Sequence, residues 1–409
     1  MADISALTVL LHDQPIGTLT HVGGERTLFT FDEAYINNSN RPTLSLSFKN
    51  EFGELLTDFK PHRGKLMPFF SNLLPEGYLR QYLANTANVH PEREYFLLRA
   101  LGRDLPGAIT VAASDVPLGP EPRRAGQEGN AEPAIPEPAL RFSLAGVQLK
   151  FSAIMNEQGG MTIPARGVGG HWIVKLPSRE FTHLPENEFS MMTLANRVGI
   201  DTPEFNLADV ASVSNLPESA NYLGGKAFVI KRFDRMVDGR GIHIEDFAQV
   251  FGVYPHAKYD KASYRNLARV IAAESGDSDI AEFIRRATFN VLIGNGDMHL
   301  KNWSLIYRDQ RRATLSPAYD FVSTVAYLPG ERSALAFSRS KAFSGYTTDE
   351  LEHLAAKAAL PRKLVLETAQ ETVVLFMQHW AAEKMHLPMH QDVQAAIDKH
   401  LQTLPILSI

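Results

Sequence analysis

The chain has 409 residues, 44% hydrophobic and 21% charged, with a formal net charge of -5 and no cysteine. That composition is ordinary for a globular protein with room for two or three domains; it excludes disulfide and thiolate chemistry and gives no general attraction to nucleic acid. The opening Met1-Ala2-Asp3-Ile4-Ser5 has neither part of a secretory signal, and no apolar run reaches the length of a membrane span, so the expected compartment is the cytoplasm with no membrane partner.

Leu7 to Leu11 and Ile16 to His21 flank Asp13-Gln14-Pro15 and read as a hairpin, and Thr27 to Phe31 alternates as a third strand. Leu73-Leu74-Pro75-Glu76-Gly77 is expected to start a helix through about Ala87, with Pro75 near its N-terminus. Glu92 to Leu101 reads as another helix. Residues 1–113 thus form a small α+β unit that holds no catalytic constellation, and its expected role is packing against a partner or the larger domain. From 114 to 139 the chain carries Pro117, Pro120, Pro122, Pro133, Pro136 and Pro138 among Gly and Glu. Such a stretch buries too little apolar surface to fold and predicts a mobile linker.

The remainder, 140–409, divides at about 240. Arg141 to Phe151 sets small residues between two strand-like pieces; its backbone N–H groups could approach a phosphate, and an ordinary hairpin fits equally. Trp172-Ile173-Val174-Lys175-Leu176-Pro177 puts a lysine inside an apolar strand, where it must meet an anion or snorkel out. Glu186-Asn187-Glu188 begins a helix with Phe189, Met192, Ala195 and Val198 on its apolar face and Gly199 at its end. Glu188 either pairs with Lys175 or sits in the first turn to favour the helix dipole. Ala227 to Ile230 reads as a buried strand leading into Lys231-Arg232-Phe233-Asp234-Arg235, an adenine-pocket edge or a solvated charged face.

Ile280, Phe283, Ile284, Ala287 and Val291 recur at helical spacing, with Ser278 placed to cap the start and Gly294 and Gly296 to stop it. Asp297, His299, Lys301 and Asn302 crowd the loop that follows. Trp303, Leu305 and Tyr307 alternate as a strand, and after the Arg308–Arg312 turn a second strand is expected to end at Ala318-Tyr319-Asp320-Phe321. A kinase catalytic segment needs a carboxylate to accept the acceptor's proton, an amide oxygen five residues on for a metal, and a second carboxylate beyond a hairpin. Asp297, Asn302 and Asp320 fill those places in order, although Asp and Asn are also ordinary turn formers. Thr347 to Glu350 has a capping-box pattern, and helices are expected at about 349–359, 363–385 and 389–403.

These segments resemble the HipA family of bacterial toxin kinases. The likeness rests on Asn72 to Gly77, Ser143 to Lys150, His171 to Pro177, Arg232 to Arg235, Glu245-Asp246-Phe247, Leu292 to Asn302 and Pro317 to Asp320. The Asp-x-His-x-Lys-Asn loop with its downstream Tyr-Asp is the most specific part. The resemblance implies an α+β fold: a two-lobed core similar to protein and phosphoinositide kinases, an N-terminal α+β subdomain and an all-helical C-terminal part. It implies a serine/threonine kinase using ATP and Mg2+, with Asp297 as base and Asn302 and Asp320 on the metal. Lys175 would hold the ATP phosphates under a loop of Ala145, Gly146, Val147, Gln148, Leu149 and Lys150. Lys231, Arg232 and Phe233 would line the adenine pocket, His299 and Lys301 would lie beside the phosphates, and Tyr319 belongs with this nucleotide-binding set. Leu149 departs from the acidic or polar residue often found there, which weakens any contact by that side chain.

Ser143 falls where the family carries an inhibitory autophosphorylated serine. The implied partners are a helix-turn-helix antitoxin dimer (HipB-like), through which alone DNA would be reached, and a protein target; family targets include aminoacyl-tRNA synthetases. Two rival readings are a kinase-shaped co-repressor and a phosphohydrolase with metal on Asp297, His299 and Asp320.

Overall fold

The computed structural model describes residues 5–114, 149–155, 161–163, 170–178, 180–216 and 223–408. Residues 115–148, with most of the proline-rich stretch and Ser143, Ala145, Gly146, Val147 and Gln148, lie outside them.

β1 (Ser5–Leu11) and β2 (Gln14–Val22) form the expected hairpin. With β3 (Arg26–Phe31), β4 (His62–Arg63) and β5 (Ile109–Ala113) they make an antiparallel sheet in the order β4-β3-β2-β1-β5. The turn falls on His12 and Asp13, both at positive φ, and Gln14 and Pro15 already pair with Leu11 and Leu10. α1 (Glu33–Asn37), α2 (Pro68–Ser71), α3 (Gly77–Thr86) and α4 (Glu94–Leu101) complete this unit around a core that includes Leu7, Val9, Phe29, Phe48, Phe70 and Leu98. α3 starts at Gly77, not Leu73. Glu76 is its extended N-cap, and Asn72 to Glu76 forms a connecting turn.

The second sheet runs β10-β7-β6-β8-β11-β9, from β6 (Lys150–Met155), β7 (Met161–Thr162), β8 (Trp172–Lys175), β9 (Phe205–Asp209), β10 (Val213–Ser214) and β11 (Lys226–Lys231). Period-two alternation sorts its faces. Trp172, Val174, Ala227 and Val229 share one apolar cluster with Phe151. Ile173, Phe228 and Ile230 join another with Met191, Leu194 and Ala195 of α5 (Leu184–Arg197). Lys175, two residues beyond Ile173, therefore faces α5. So does its cross-strand partner Lys150.

The rest is mainly helical: α6 (Phe247–Val250), α7 (Tyr264–Glu274), α8 (Asp277–Leu292), α9 (Thr348–Ala358), α10 (Arg362–Glu383) and α11 (Gln391–Leu401). A small sheet, β12 (His243–Asp246), β13 (Ser304–Tyr307) and β14 (Thr314–Leu315), lies beside them. α8 begins one residue before Ser278, with Gly276 at the cap. The strand expected to reach Phe321 is only Thr314–Leu315, so Ala318 to Phe321 is irregular backbone. Thr347 caps α9 as expected, accepting from Glu350 N–H. The Glu350 side chain instead accepts from the N–H groups of Ser338 and Arg339. No helix among the described residues is long and apolar enough to cross a membrane.

Candidate active site

Lys175 ends β8 on the α5 face, where an unpaired ammonium would be costly. Its Nζ lies 2.5 Å from Glu188 Oε1 and also pairs with Asp320. Glu188 belongs to the second turn of α5, past the dipole-favoured first turn that Glu186 occupies, and is 2% exposed. The helix-dipole reading of Glu188 is thereby replaced by ion pairing. Burial would strip Lys175 of its proton, but Asp320 and then Glu188 hold it above the ordinary lysine range. Burial works in the opposite sense on Asp320, whose carboxyl the Lys175 and Lys150 ammoniums bring down to about 2. Lys150 is buried beside them, and the loss of water lowers its pKa to about 8.

Asp320 is one of the few non-glycine residues with a left-handed backbone, φ +59. Such a conformation costs about 1–3 kcal/mol and persists where the surroundings impose it. Phe321, fully buried against Phe289 at 5.0 Å, and the preceding Tyr319 impose it here. Tyr319 is fixed by its hydroxyl to the Lys301 carbonyl, 3.1 Å, and to Ser304, 2.5 Å.

α8 delivers the other half of the site. It stops at Gly294, φ +64, where a Cβ would stand 2.6 Å from Val325. The next residue, Asn295, is 1% exposed and serves as a hub. Its Oδ1 accepts from the Asp297 N–H at 3.0 Å, and its Nδ2 donates to Asn290 and, at 3.4 Å, to the Asp320 carbonyl. Asn302 Nδ2 donates to the Asp297 carbonyl at 2.9 Å. Asp297, Asn302 and Asp320 are thus tied into one neighbourhood from both sides of β13 and β14.

The Asp297 side chain has an open face yet sits in a recess, and that enclosure pushes its carboxyl above the ordinary range despite a 2.6 Å hydrogen bond from the Tyr259 hydroxyl. His299 is 6% exposed and packs edge-on against Tyr259 at 5.0 Å. Burial, aided by Lys258, lowers its pKa to about 3, so it is neutral, and its Nδ1 has no hydrogen-bond partner.

Several expected nucleotide contacts are arranged otherwise. The Arg232 side chain is engaged within the chain: it is 0% exposed, paired with Asp104 at 3.0 Å and Asp234 at 2.8 Å. Lys231 points outward, 3.0 Å from Glu204 and over the Trp172 ring. Phe233 keeps a place at the site, 5.7 Å from the Tyr319 ring. Leu149 packs its side chain between the N-terminal core and the second sheet. Lys301 is engaged within the chain, because the ammonium of a side chain 4% exposed goes where buried oxygen waits: Glu76 at 2.9 Å and the Asn72 carbonyl at 3.1 Å. Sequence reasoning missed Glu76, Tyr259 and Asn295. Glu76 was signalled only as part of the Asn72–Gly77 segment, and Asn295 by its place before Asp297.

The donor set fits Mg2+ better than a soft metal. Asn302 spends its N–H on Asp297, leaving its amide oxygen free, and Asp320 keeps a 23% exposed carboxylate; hard oxygen donors suit Mg2+. Among the described residues no three His, Cys, Asp or Glu side chains converge as a metal set, which weighs against the phosphohydrolase reading. Lys175 and Lys150 are buried cations suited to polyphosphate. A cavity of about 460 Å³ lies elsewhere, between the loop around Arg41 and Lys49 and the Asp309–Arg312 turn, and holds none of these groups.

Comparison with known proteins adds the following. A model of the HipA-like C-terminal domain matches residues 142–380, and one of the HipA N-terminal domain matches 7–112. A Sinorhizobium fredii protein named "Putative kinase Y4dM" is 54% identical over 99% of this chain and 98% of its own length. The serine/threonine-protein kinase toxin HipA of Shewanella oneidensis is 26% identical over 98% of this chain and 95% of its own. The solved complex of Shewanella oneidensis HipA, HipB and operator DNA contains a chain with the same fold, at a TM-score of 0.71 and 22% identity, covering 98% of this chain and 96% of that one.

Proposed function

This chain belongs to the HipA family, with its α+β kinase-like fold, and we propose that it is a Mg-ATP-dependent protein serine/threonine kinase, the toxin of a HipA–HipB-like module. The observation that carries this is the convergence of Lys175, Glu188 and Asp320 with the Asp297–Asn302 turn, through Asn295. Asp297 accepts the proton of an acceptor hydroxyl, its raised pKa bringing it nearer to the working pH. Asn302 and Asp320 would hold the metal, Lys175 and Lys150 the nucleotide's phosphates. Bound Mg-ATP supplies the phosphoryl group and a counter-charge for the transfer. Lys175, paired with Asp320 here, would meet the phosphates of a bound nucleotide with the same ammonium. The family resemblance assigns residues 145–150 to a loop over the phosphates and makes Ser143 the autophosphorylated serine whose added charge switches the enzyme off. The protein target is a translation protein of the aminoacyl-tRNA synthetase kind, and a HipB-like dimer links the chain to DNA.

One observation favours a second reading, a weak kinase that works mainly as co-repressor: Asp297 and Asp320 are both engaged by this chain's own Tyr259 and Lys175. One assay separates the two. The full chain is incubated with Mg2+ and γ-labelled ATP, and phosphate is located by peptide mapping. The kinase reading expects label on Ser143 in the wild type and none in folded Asp297→Asn or Asp320→Ala. Undiminished labelling in either variant ends the assignment of that residue, and an unlabelled wild type leaves the co-repressor.

A further inference from the structure

Two residues of the N-terminal unit end in the catalytic loop. The Glu76 carboxylate takes Lys301 Nζ on one oxygen at 2.9 Å and Lys258 Nζ on the other at 2.8 Å. Asn72 accepts from Lys301 through its carbonyl and donates its side-chain N–H to the Val253 carbonyl at 2.7 Å. The ammoniums are nearly sealed from water, their side chains 4% and 9% exposed, and Glu76 is 16% exposed. Burial alone would raise the Glu76 carboxyl, yet Lys301 and Lys258 bring it down to about 2, so the group is an anion.

What Glu76 grips matters more than how tightly. Lys301 lies inside the 3-10 turn Leu300–Asn302, immediately before the metal-side Asn302. Lys258 touches the same loop by its carbonyl, which accepts from Leu300 N–H at 3.3 Å, and is followed by Tyr259, whose hydroxyl reaches Asp297. Backbone bonding within the loop is sparse: His299 N–H to the Asp297 carbonyl and Asn302 N–H to the His299 carbonyl. With so few backbone bonds of its own, the loop takes its geometry from side-chain contacts, those of Asn295, Asn302 and Tyr319 and the ion pairs of Glu76.

Resting on the kinase reading, we propose that Glu76 is a positioning residue for phosphoryl transfer: by clamping Lys301 and Lys258 it fixes the turn that presents Asp297 and Asn302. The N-terminal unit is then a working part of the active site and not an appended module. The bland alternative is an ion-pair staple that holds two units together and leaves the chemistry alone.

The test uses the full chain, Mg-ATP and dephosphorylated casein as acceptor, with self-labelling followed in parallel. Glu76→Gln is expected to lower kcat by about tenfold or more with the KM for ATP within about threefold, and Glu76→Asp to recover part of the loss. Counting folded protein by its unfolding transition removes any trivial loss of enzyme. Should Glu76→Gln fail to fold, Glu76→Gln on Lys301→Met lacks one stranded ammonium. There the second substitution is expected to add less than about threefold to the loss from Lys301→Met alone. A kcat for folded Glu76→Gln within threefold of wild type, or losses that simply multiply in the double variant, overturns the proposal. A wild type that transfers nothing at all overturns the kinase reading itself.

Discussion

Lys175 stands between two carboxylates, and its removal leaves both with only the more distant influence of Lys150, Glu188 in a place that water scarcely reaches. Breaking a buried ion set from one side costs far more than the set contributes. Lys175→Met is therefore expected to lower unfolding free energy by about 3–5 kcal/mol in urea titrations, besides ending transfer. Glu76 gives a prediction in pH. Its carboxyl titrates near 4.5 when unfolded and is held to about 2 when folded. A depressed carboxyl contributes stability that is complete above pH 4.5 and is lost as pH falls toward 2. Wild type should thus lose more unfolding free energy than Glu76→Gln between pH 5 and pH 3. Parallel acid titrations of the two would remove Glu76 from the ion set.

The elements carry their own lesson. The buried face of α8, with Phe283, Ile284, Ala287 and Val291, was legible because a helix repeats its environment every three or four residues. The end of the second strand was not, since Ala318 to Phe321 alternates suitably but is held by tertiary contacts in another shape. Two helix-ending glycines separate local strain from crowding. At Gly199, φ +83, a Cβ meets nothing within 4 Å, whereas at Gly294, φ +64, it collides with Val325. Gly199→Ala should cost about 1 kcal/mol and leave transfer intact. Gly294→Ala should cost more and also lower kcat, because it displaces the loop that begins at Asn295. Thermal unfolding and turnover, measured together on both variants, check this.

At the scale of the molecule, the N-terminal unit is welded to the rest by buried polar seams. Asp104 meets Arg232 and Arg235; Ser45 and the Leu46 N–H bind Glu245; the Leu44 carbonyl bonds His243 at 2.7 Å; and Glu76 meets Lys258 and Lys301. Arg232→Met leaves Asp104 and Asp234 with Arg235 as their remaining cation. It should destabilise the chain by about 3–5 kcal/mol, and limited proteolysis should then release the N-terminal unit before the helical part. Resistance equal to wild type would show that this seam contributes little.

The order of the motifs, the hairpins, the strand lysine, the α5 and α8 faces and the three C-terminal helices could be read from the sequence alone, because periodicity and loop spacing are local properties of a chain. That Lys175 meets Glu188 and Asp320 was half visible, as a kinase-like order. That Lys301 pairs with Glu76, that Tyr259 hydrogen-bonds Asp297, and that Arg232 pairs with Asp104 of the N-terminal unit was decided only by the tertiary structure. The reason is physical: a buried charge takes whichever counter-charge the fold brings within reach, and for Lys301 that is Glu76, with the Asn72 carbonyl, 229 residues back along the chain, as a second oxygen.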